Sequence, residues 1–300
     1  MGVLNGFLLQ NAEAGCYRIE RLVARCHGGK AFHCRLVCSI MLSEGDPVYL
    51  LDDKDKRYWF RLQNDMVKVQ GLGVVDAGRL IGQPDGSAVK VAGREFFVFK
   101  GGIIEQMGSL DRGPQIITAK DAATIVFHLD LRAGDVVLEA GVGSGALSIA
   151  LLNAIAPTGR VITVELREEF AAKARKNVER SQLSSLWDLR FGDIKEINIG
   201  TTVDAVVLDM PDPWLALDNI GRFLRPGGRF AGYVPNTNQV ADVMNGLRER
   251  GYREVIALEN IQRSIESHPG GVRPSYETLS HTGYMIFGRR TAGAEGTDSR

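Results

Sequence analysis

The feature that most constrains this chain is a short apolar run, Val136-Val-Leu-Glu, that breaks into Gly141-Val-Gly143-Ser-Gly145 and then into a second apolar stretch opening at Ala146. A buried strand, a turn only glycines can make and an immediate helix form the opening unit of an α/β sheet, in which ligands bind at the carboxyl ends of the strands. The rest of the chain continues the rhythm. Strand patterns at 160–165, 189–191, 203–208, 228–234, 254–259 and 282–287 alternate with helical patterns at 122–129, 146–155, 168–181, 216–223 and 239–250. Apolar strands separated by amphipathic helices predict a mainly parallel sheet of seven strands covered on both faces, a Rossmann-like doubly wound fold.

The stretch ahead of this pattern differs. Residues 41–105 show short alternating segments at 57–62, 66–69, 88–91 and 95–99, punctuated by turns such as Asp52-Asp53-Lys54 and Pro84-Asp85-Gly86. They read as a small all-β domain. Residues 1–40 lack periodicity and read as an extension, with Met41 as the natural start, an expectation that the intact mass of natively expressed protein tests. The main domain is assigned to 106–290, and 291–300 to a tail. All four cysteines, Cys16, Cys26, Cys34 and Cys38, fall in the extension. With His27 and His33 beside them a zinc site comes to mind, but paired C-x2-C knuckles are missing, so no metal is assigned. A body free of cysteine suits a cytoplasmic enzyme. No apolar run approaches the roughly 18 residues of a membrane span. The 36 basic and 36 acidic residues balance, so any nucleic acid must be held by a local patch rather than by net charge.

The glycine loop alone leaves three readings open. Gly141-x-Gly143-x-x-Ala146 fits the dinucleotide fingerprint as well as a methyltransferase loop, and a merely structural turn is the third. Glu165, ending the next strand, could hold ribose hydroxyls in either enzyme. Two further acids favour the methyltransferase. Asp193, in Phe191-Gly-Asp-Ile194, stands where it could accept a hydrogen bond from an adenine amino group. Asp209, in Leu208-Asp-Met-Pro-Asp-Pro-Trp214, puts a carboxylate at the sheet's ligand edge, with Trp214 as a stacking or core residue.

Together these segments resemble the class I methyltransferases, and more narrowly the tRNA (adenine-N1)-methyltransferases that modify adenine 58 of the T-loop. The resemblance runs from about residue 41 to 290. It is carried by Gly113-Pro-Gln-Ile-Ile-Thr-Ala-Lys-Asp-Ala-Ala123, by Leu138-Glu-Ala-Gly-Val-Gly-Ser-Gly-Ala-Leu147, by the Asp209 loop and by Val272-Arg-Pro-Ser-Tyr-Glu-Thr-Leu-Ser-His-Thr-Gly-Tyr284. Thr118-Ala119 stand where members of that family carry Tyr-Pro. The resemblance implies S-adenosylmethionine as cofactor, tRNA as partner and a homotetramer. It further implies that Ser144, Gly145, Ala146 and Leu147 meet the methionine part, with Glu139, Gly141, Gly143 and Gln115 around the cofactor. Glu165 would meet the ribose, Phe170 the nucleoside and Asp193 the adenine, while Asp209 would stand between methyl donor and target base. Arg273 and His281 receive no step. Adenine 57 is an alternative second acceptor.

Three rivals are weighed. A class I enzyme acting on a protein carboxyl or a small molecule would lack the Asp209 loop and the 273–284 motif. A non-catalytic RNA-binding subunit would have lost the glycine loop. A dehydrogenase would place a proton-relay histidine near the strand ends, and the body holds only His128, His268 and His281.

Overall fold

The computed structural model describes residues 17–19, 38–110 and 117–293. Most of the 1–40 extension with Cys16, Cys26 and Cys34, the expected cofactor residue Gln115, and 294–300 of the tail lie outside the described residues. The chain divides into two compact units, residues 1–101 and 102–300.

In the first unit β1 (Tyr17–Ile19) pairs with β2 (Cys38–Ile40). A four-stranded antiparallel sheet runs in the order β4-β3-β8-β7, from β3 (Pro47–Leu51), β4 (Arg57–Arg61), β7 (Ala88–Val91) and β8 (Arg94–Lys100), and β5 (Met66–Val69) forms a ribbon with β6 (Gly73–Asp76). Alternation works as the pleat demands, Val48 and Leu50 of β3 entering a core with Phe96 and Val98 of β8. The turn between β3 and β4 is held by Asp52, whose carboxylate accepts from the Lys54 and Lys56 amides and from the Tyr58 hydroxyl. β3 starts at Pro47, directly after Asp46, whose carboxylate accepts from the Ser43 amide.

The second unit is a seven-stranded sheet in the order β11-β10-β9-β12-β13-β17-β14. Its strands are β9 (Val136–Ala140), β10 (Arg160–Glu165), β11 (Trp187–Phe191), β12 (Val203–Leu208), β13 (Leu224–Val234), β14 (Arg253–Glu259) and β17 (Tyr284–Arg289). The first five are mutually parallel, and β17 enters antiparallel between β13 and β14. Neighbouring residues feed opposite faces. Val137, Val161, Val207, Ala231 and Met285 pack on one side; Leu138, Ile162, Val206, Phe230 and Ile286 pack on the other. This is why the strands read as continuous apolar runs.

The helices are α1 (Ile103–Gly108), α2 (Ala119–His128), α3 (Ala146–Ile155), α4 (Glu168–Val178), α5 (Leu217–Gly221) and α6 (Thr237–Glu249). α2 and α3 contribute to the first core face, α5 and α6 to the second. α3 is buried along most of its length, matching its lack of a polar stripe. The helical pattern at 216–223 resolves into a 3-10 turn (Pro213–Ala216) and the short α5, since Pro213 opens the turn. In this unit α1 and a hairpin of β15 (Ile265–His268) with β16 (Gly271–Pro274) escape the sequence reading. Among the described residues no helix is long and apolar enough to cross a membrane.

Phe230 is fully buried and meets Tyr252 edge-on at 6.4 Å. Phe230→Ala should cost about 3–5 kcal/mol, the usual range for removing a buried aromatic ring. Urea unfolding followed by circular dichroism measures it, and a cost below about 1 kcal/mol would contradict this picture of the core.

Candidate active site

Strand order reverses between β9 and β12, and the glycine loop leaves β9 at that point. Gly141 has φ +83°, and a Cβ there would lie 1.8 Å from the Asp209 carbonyl oxygen. Only glycine lets the two strand ends meet. The Asp209 amide in turn donates to the Ala140 carbonyl at 2.8 Å. Gly145, at φ +83°, lets α3 start against Ala174 and Val178 of α4. Asn177 of α4 holds the loop from behind by donating to the Ser144 carbonyl. No side chain caps α3, so the first amides of its turn, around Ala146 and Leu147, face the loop as donors for an anionic group.

Three acids gather here. Glu165 ends β10 and is almost fully buried; one oxygen accepts from the Val142 amide at 3.0 Å, the other from the Arg167 amide at 2.8 Å. Glu139 lies inside β9 with no exposed surface. Its Oε2 accepts from Ser148 and Thr163, both at 2.6 Å, while Oε1 has no partner. Burial pushes Glu139 up to about 7 against the pull of those hydroxyls, and the charges on Asp209 and Glu165 push the same way. Asp209 follows β12, and among the described residues nothing donates to its carboxylate. Burial, then the Glu165 charge, pushes it up to about 7 as well. Such a cluster is short of positive charge. A ligand bearing a cation, a carboxylate for the α3 amides and hydroxyls for Glu165 fits the donors and acceptors present.

The remaining expected residues have local partners. Asp193 follows β11, accepts from the Lys195 amide and pairs with its ammonium at 3.6 Å. The Phe170 ring is covered by the Arg167 guanidinium at 3.8 Å. Trp214 packs on the second core face, its Cβ near the position a Gly246 side chain would take, which favours the core role over stacking.

The wall beyond Asp209 escaped the sequence reading. Asp121 of α2 has no exposed surface and receives Thr118, Thr282, Tyr233 and the Lys120 ammonium. Lys120 also donates to the Asn260 carbonyl and to Thr282. Tyr233, on β13, senses the Asp209 charge; burial first and Asp121 second raise its hydroxyl above the ordinary range. Gly283 is required there, because a Cβ would stand 2.3 Å from the Tyr233 ring. Thr118, which replaces the family's tyrosine, is thus part of this network. Farther out, Gln239 of α6 donates to the Pro211 carbonyl at 2.7 Å, and His281 bridges Glu259 and Pro235. Among the described residues no group of three or more His, Cys, Asp or Glu could hold a metal.

Comparison with known proteins bears on this arrangement. Residues 107–269 match the family described as tRNA methyltransferase complex GCD14 subunit. The chain is 32% identical over 267 residues to tRNA (adenine(57)-N(1)/adenine(58)-N(1))-methyltransferase TrmI of Methanocaldococcus jannaschii, covering 80% of this chain and 93% of the relative. A solved S-adenosylmethionine-dependent O-methyltransferase from Thermotoga maritima superposes with a TM-score of 0.74 at 31% identity, over 84% of this chain and 95% of the other. The tRNA (m1A58) methyltransferase TrmI of Aquifex aeolicus gives 0.67 at 28% identity, over 83% and 98%.

Two outcomes follow from the geometry. Gly141→Ala should weaken S-adenosylmethionine binding by at least about 100-fold in calorimetry, since both the conformation and the contact with Asp209 are lost. Asp209→Asn should raise the melting temperature of the ligand-free protein relative to wild type at pH 8 but much less at pH 5. The folded carboxyl sits near 7 and the unfolded one near 3.9, so its stability penalty grows as pH rises between those values. Equal differences at both pH values would show that Asp209 is not strained by burial.

Proposed function

We propose that this chain, which belongs to the tRNA (adenine-58-N1)-methyltransferase family and transfers methyl from S-adenosylmethionine to N1 of adenine 58, uses Asp209 to aim the target adenine. The observation that carries this assignment is a carboxylate at the strand-order reversal, fixed by its backbone to the glycine loop and met by no hydrogen-bond donor among the described residues.

When bound, the cofactor supplies an electrophilic methyl on a positively charged sulfur. Ser144, Gly145, Ala146 and Leu147 hold its methionine end by backbone groups, Glu139 balances positive charge, and Glu165 takes the ribose hydroxyls. Phe170 and Asp193 line the nucleoside side. The task left to the protein is orientation. Asp209, as carboxylate, accepts a hydrogen bond from the N6 amino group and so points N1 at the methyl. Positive charge develops on the ring as N1 is alkylated, and Asp209 takes up the N6 proton. A carboxyl near 7 is well suited to that exchange. Adenine in a tRNA elbow must leave its stack to reach this edge, at a cost of a few kcal/mol. Adenine 57, named for the Methanocaldococcus relative, is a further acceptor within reach of the same pocket chemistry.

With balanced charge, juxtaposed subunits would enlarge the basic surface offered to phosphate, and we infer a homotetramer. The exposed side chains Ile265, Val272, Tyr276 and Leu279 on and after the β15–β16 hairpin support self-association. Light scattering should give a mass of four chains, and Val272→Asp should lower it; a monomeric wild type would refute the assembly.

Labelled S-adenosylmethionine and unmodified tRNA transcript test the reaction. Transfer should vanish with a transcript lacking adenine 58 and fall about 10²–10⁴-fold in Asp209→Ala. Cofactor binding without transfer to any tRNA would move the assignment to another methyl acceptor.

A further inference from the structure

His281 sits in the 272–284 motif, outside the cofactor loop, and the reaction described above gives it no part. Its Nδ1 lies 2.7 Å from Glu259 Oε1 at the end of β14, and its Nε2 lies 3.2 Å from the Pro235 carbonyl oxygen. A carboxylate and a carbonyl can only accept. A neutral imidazole carries one N–H, so both contacts are hydrogen bonds only when the ring is doubly protonated.

Pro235 opens the turn from β13 into α6. On its other side that turn is tied to the Asp209 loop, because Asn236 donates to Gln239 and Gln239 donates to the Pro211 carbonyl. Pro211 stands two residues after Asp209. An open cleft of about 600 Å³ runs along the turn, lined by Pro235, Asn236, Gln239, His281 and Tyr284. The Tyr284 ring is 4.8 Å from the imidazole. Two charged groups face His281 from other elements: Glu259 of β14, which favours its protonation, and Lys120 of α2, which opposes it. The hydrogen bond to Glu259 is the largest influence, the Pro235 carbonyl the next, and together they hold the ring above the ordinary histidine range.

We propose that His281 is a positioning residue for methyl transfer: as an imidazolium donating from both nitrogens, it clamps the β13–α6 turn between Glu259 and the Asp209 loop. This rests on the adenine methyltransferase reading. The clamp is complete below the titration of the ring and is released as pH rises through it. The longer bond, to Pro235, is the one lost, since the carboxylate is the stronger acceptor.

The test is kcat from pH 6 to 10 at saturating tRNA and S-adenosylmethionine, with the full chain. Wild type should show a one-proton alkaline fall. Glu259→Gln, which keeps an acceptor but removes the charge, should move that fall to lower pH. His281→Gln should lower kcat about tenfold and lose the alkaline fall, while its affinity for S-adenosylmethionine stays within about twofold. Wild-type kcat and pH profile in His281→Gln, or an unmoved fall in Glu259→Gln, would overturn the proposal. Should His281→Gln not fold, imidazole ¹⁵N shifts of wild type decide: two protonated nitrogens are expected on the acid side of the ring's titration with both contacts kept, and a ring that titrates without affecting the Pro235 contact overturns the clamp. Absence of transfer by wild type would count against the tRNA reading instead, and the ¹⁵N shifts would still judge the clamp.

Discussion

The contact between Gly141 and the backbone of Asp209 is the constraint on which the site depends. The strands β9 and β12 come so close at their carboxyl ends that a methyl group on Gly141 would overlap the Asp209 carbonyl. The glycine loop and the Asp209 segment are therefore held as one piece of backbone, further stitched by the Asp209 amide on Ala140 and the Gly141 amide on Val164. Methyl transfer needs donor and acceptor held in line, and a backbone contact this close is stiff enough to serve such a need.

Electrostatics completes what the backbone begins. Glu139, Glu165 and Asp209 repel one another, and the protein tolerates them because hydroxyls and amides quench two of the three. The third, Asp209, receives no donor on its carboxylate among the described residues. Across the sheet, Asp121 presents the opposite design. Its carboxylate is fully buried yet saturated by Lys120, Thr118, Thr282 and Tyr233, so it is a structural charge rather than a reactive one. A buried ion pair with both carboxylate oxygens hydrogen-bonded fixes relative position more than it adds stability.

How much of this is legible in the sequence depends on the range of the interactions involved. Strands buried on two faces show as apolar runs, and the glycine loop shows because its residue types answer to local backbone needs; the bounds of α3 are readable to the residue. The seven-stranded, mainly parallel sheet follows from that rhythm. The hairpin β15–β16 has a local signal, Pro269-Gly270-Gly271 between two short polar-apolar runs. Other features leave none. The partners of Lys120 lie 140 and 162 residues away at Asn260 and Thr282, and no local pattern encodes such a distance. The unpartnered Glu139 oxygen likewise appears only once Thr163 and Ser148 have been brought to its other side. Phe170 reads as a bare aromatic, whereas Arg167, one helical turn before it, lies on its face.

The strand order carries a consequence for how the protein is made. Among the described residues β17 is the last strand, yet it is laid between β13 and β14, and β14 has no other partner there. A chain emerging from the ribosome can zip up the parallel half early, but β14 must wait for a segment synthesised some 25 residues later. The residues just ahead of β17, His281, Thr282 and Gly283, are those that pack against Pro235, Asp121 and Tyr233. The wall beside Asp209 is thus the last part of the described sheet to be built, and a nascent chain holds its glycine loop well before that wall can form.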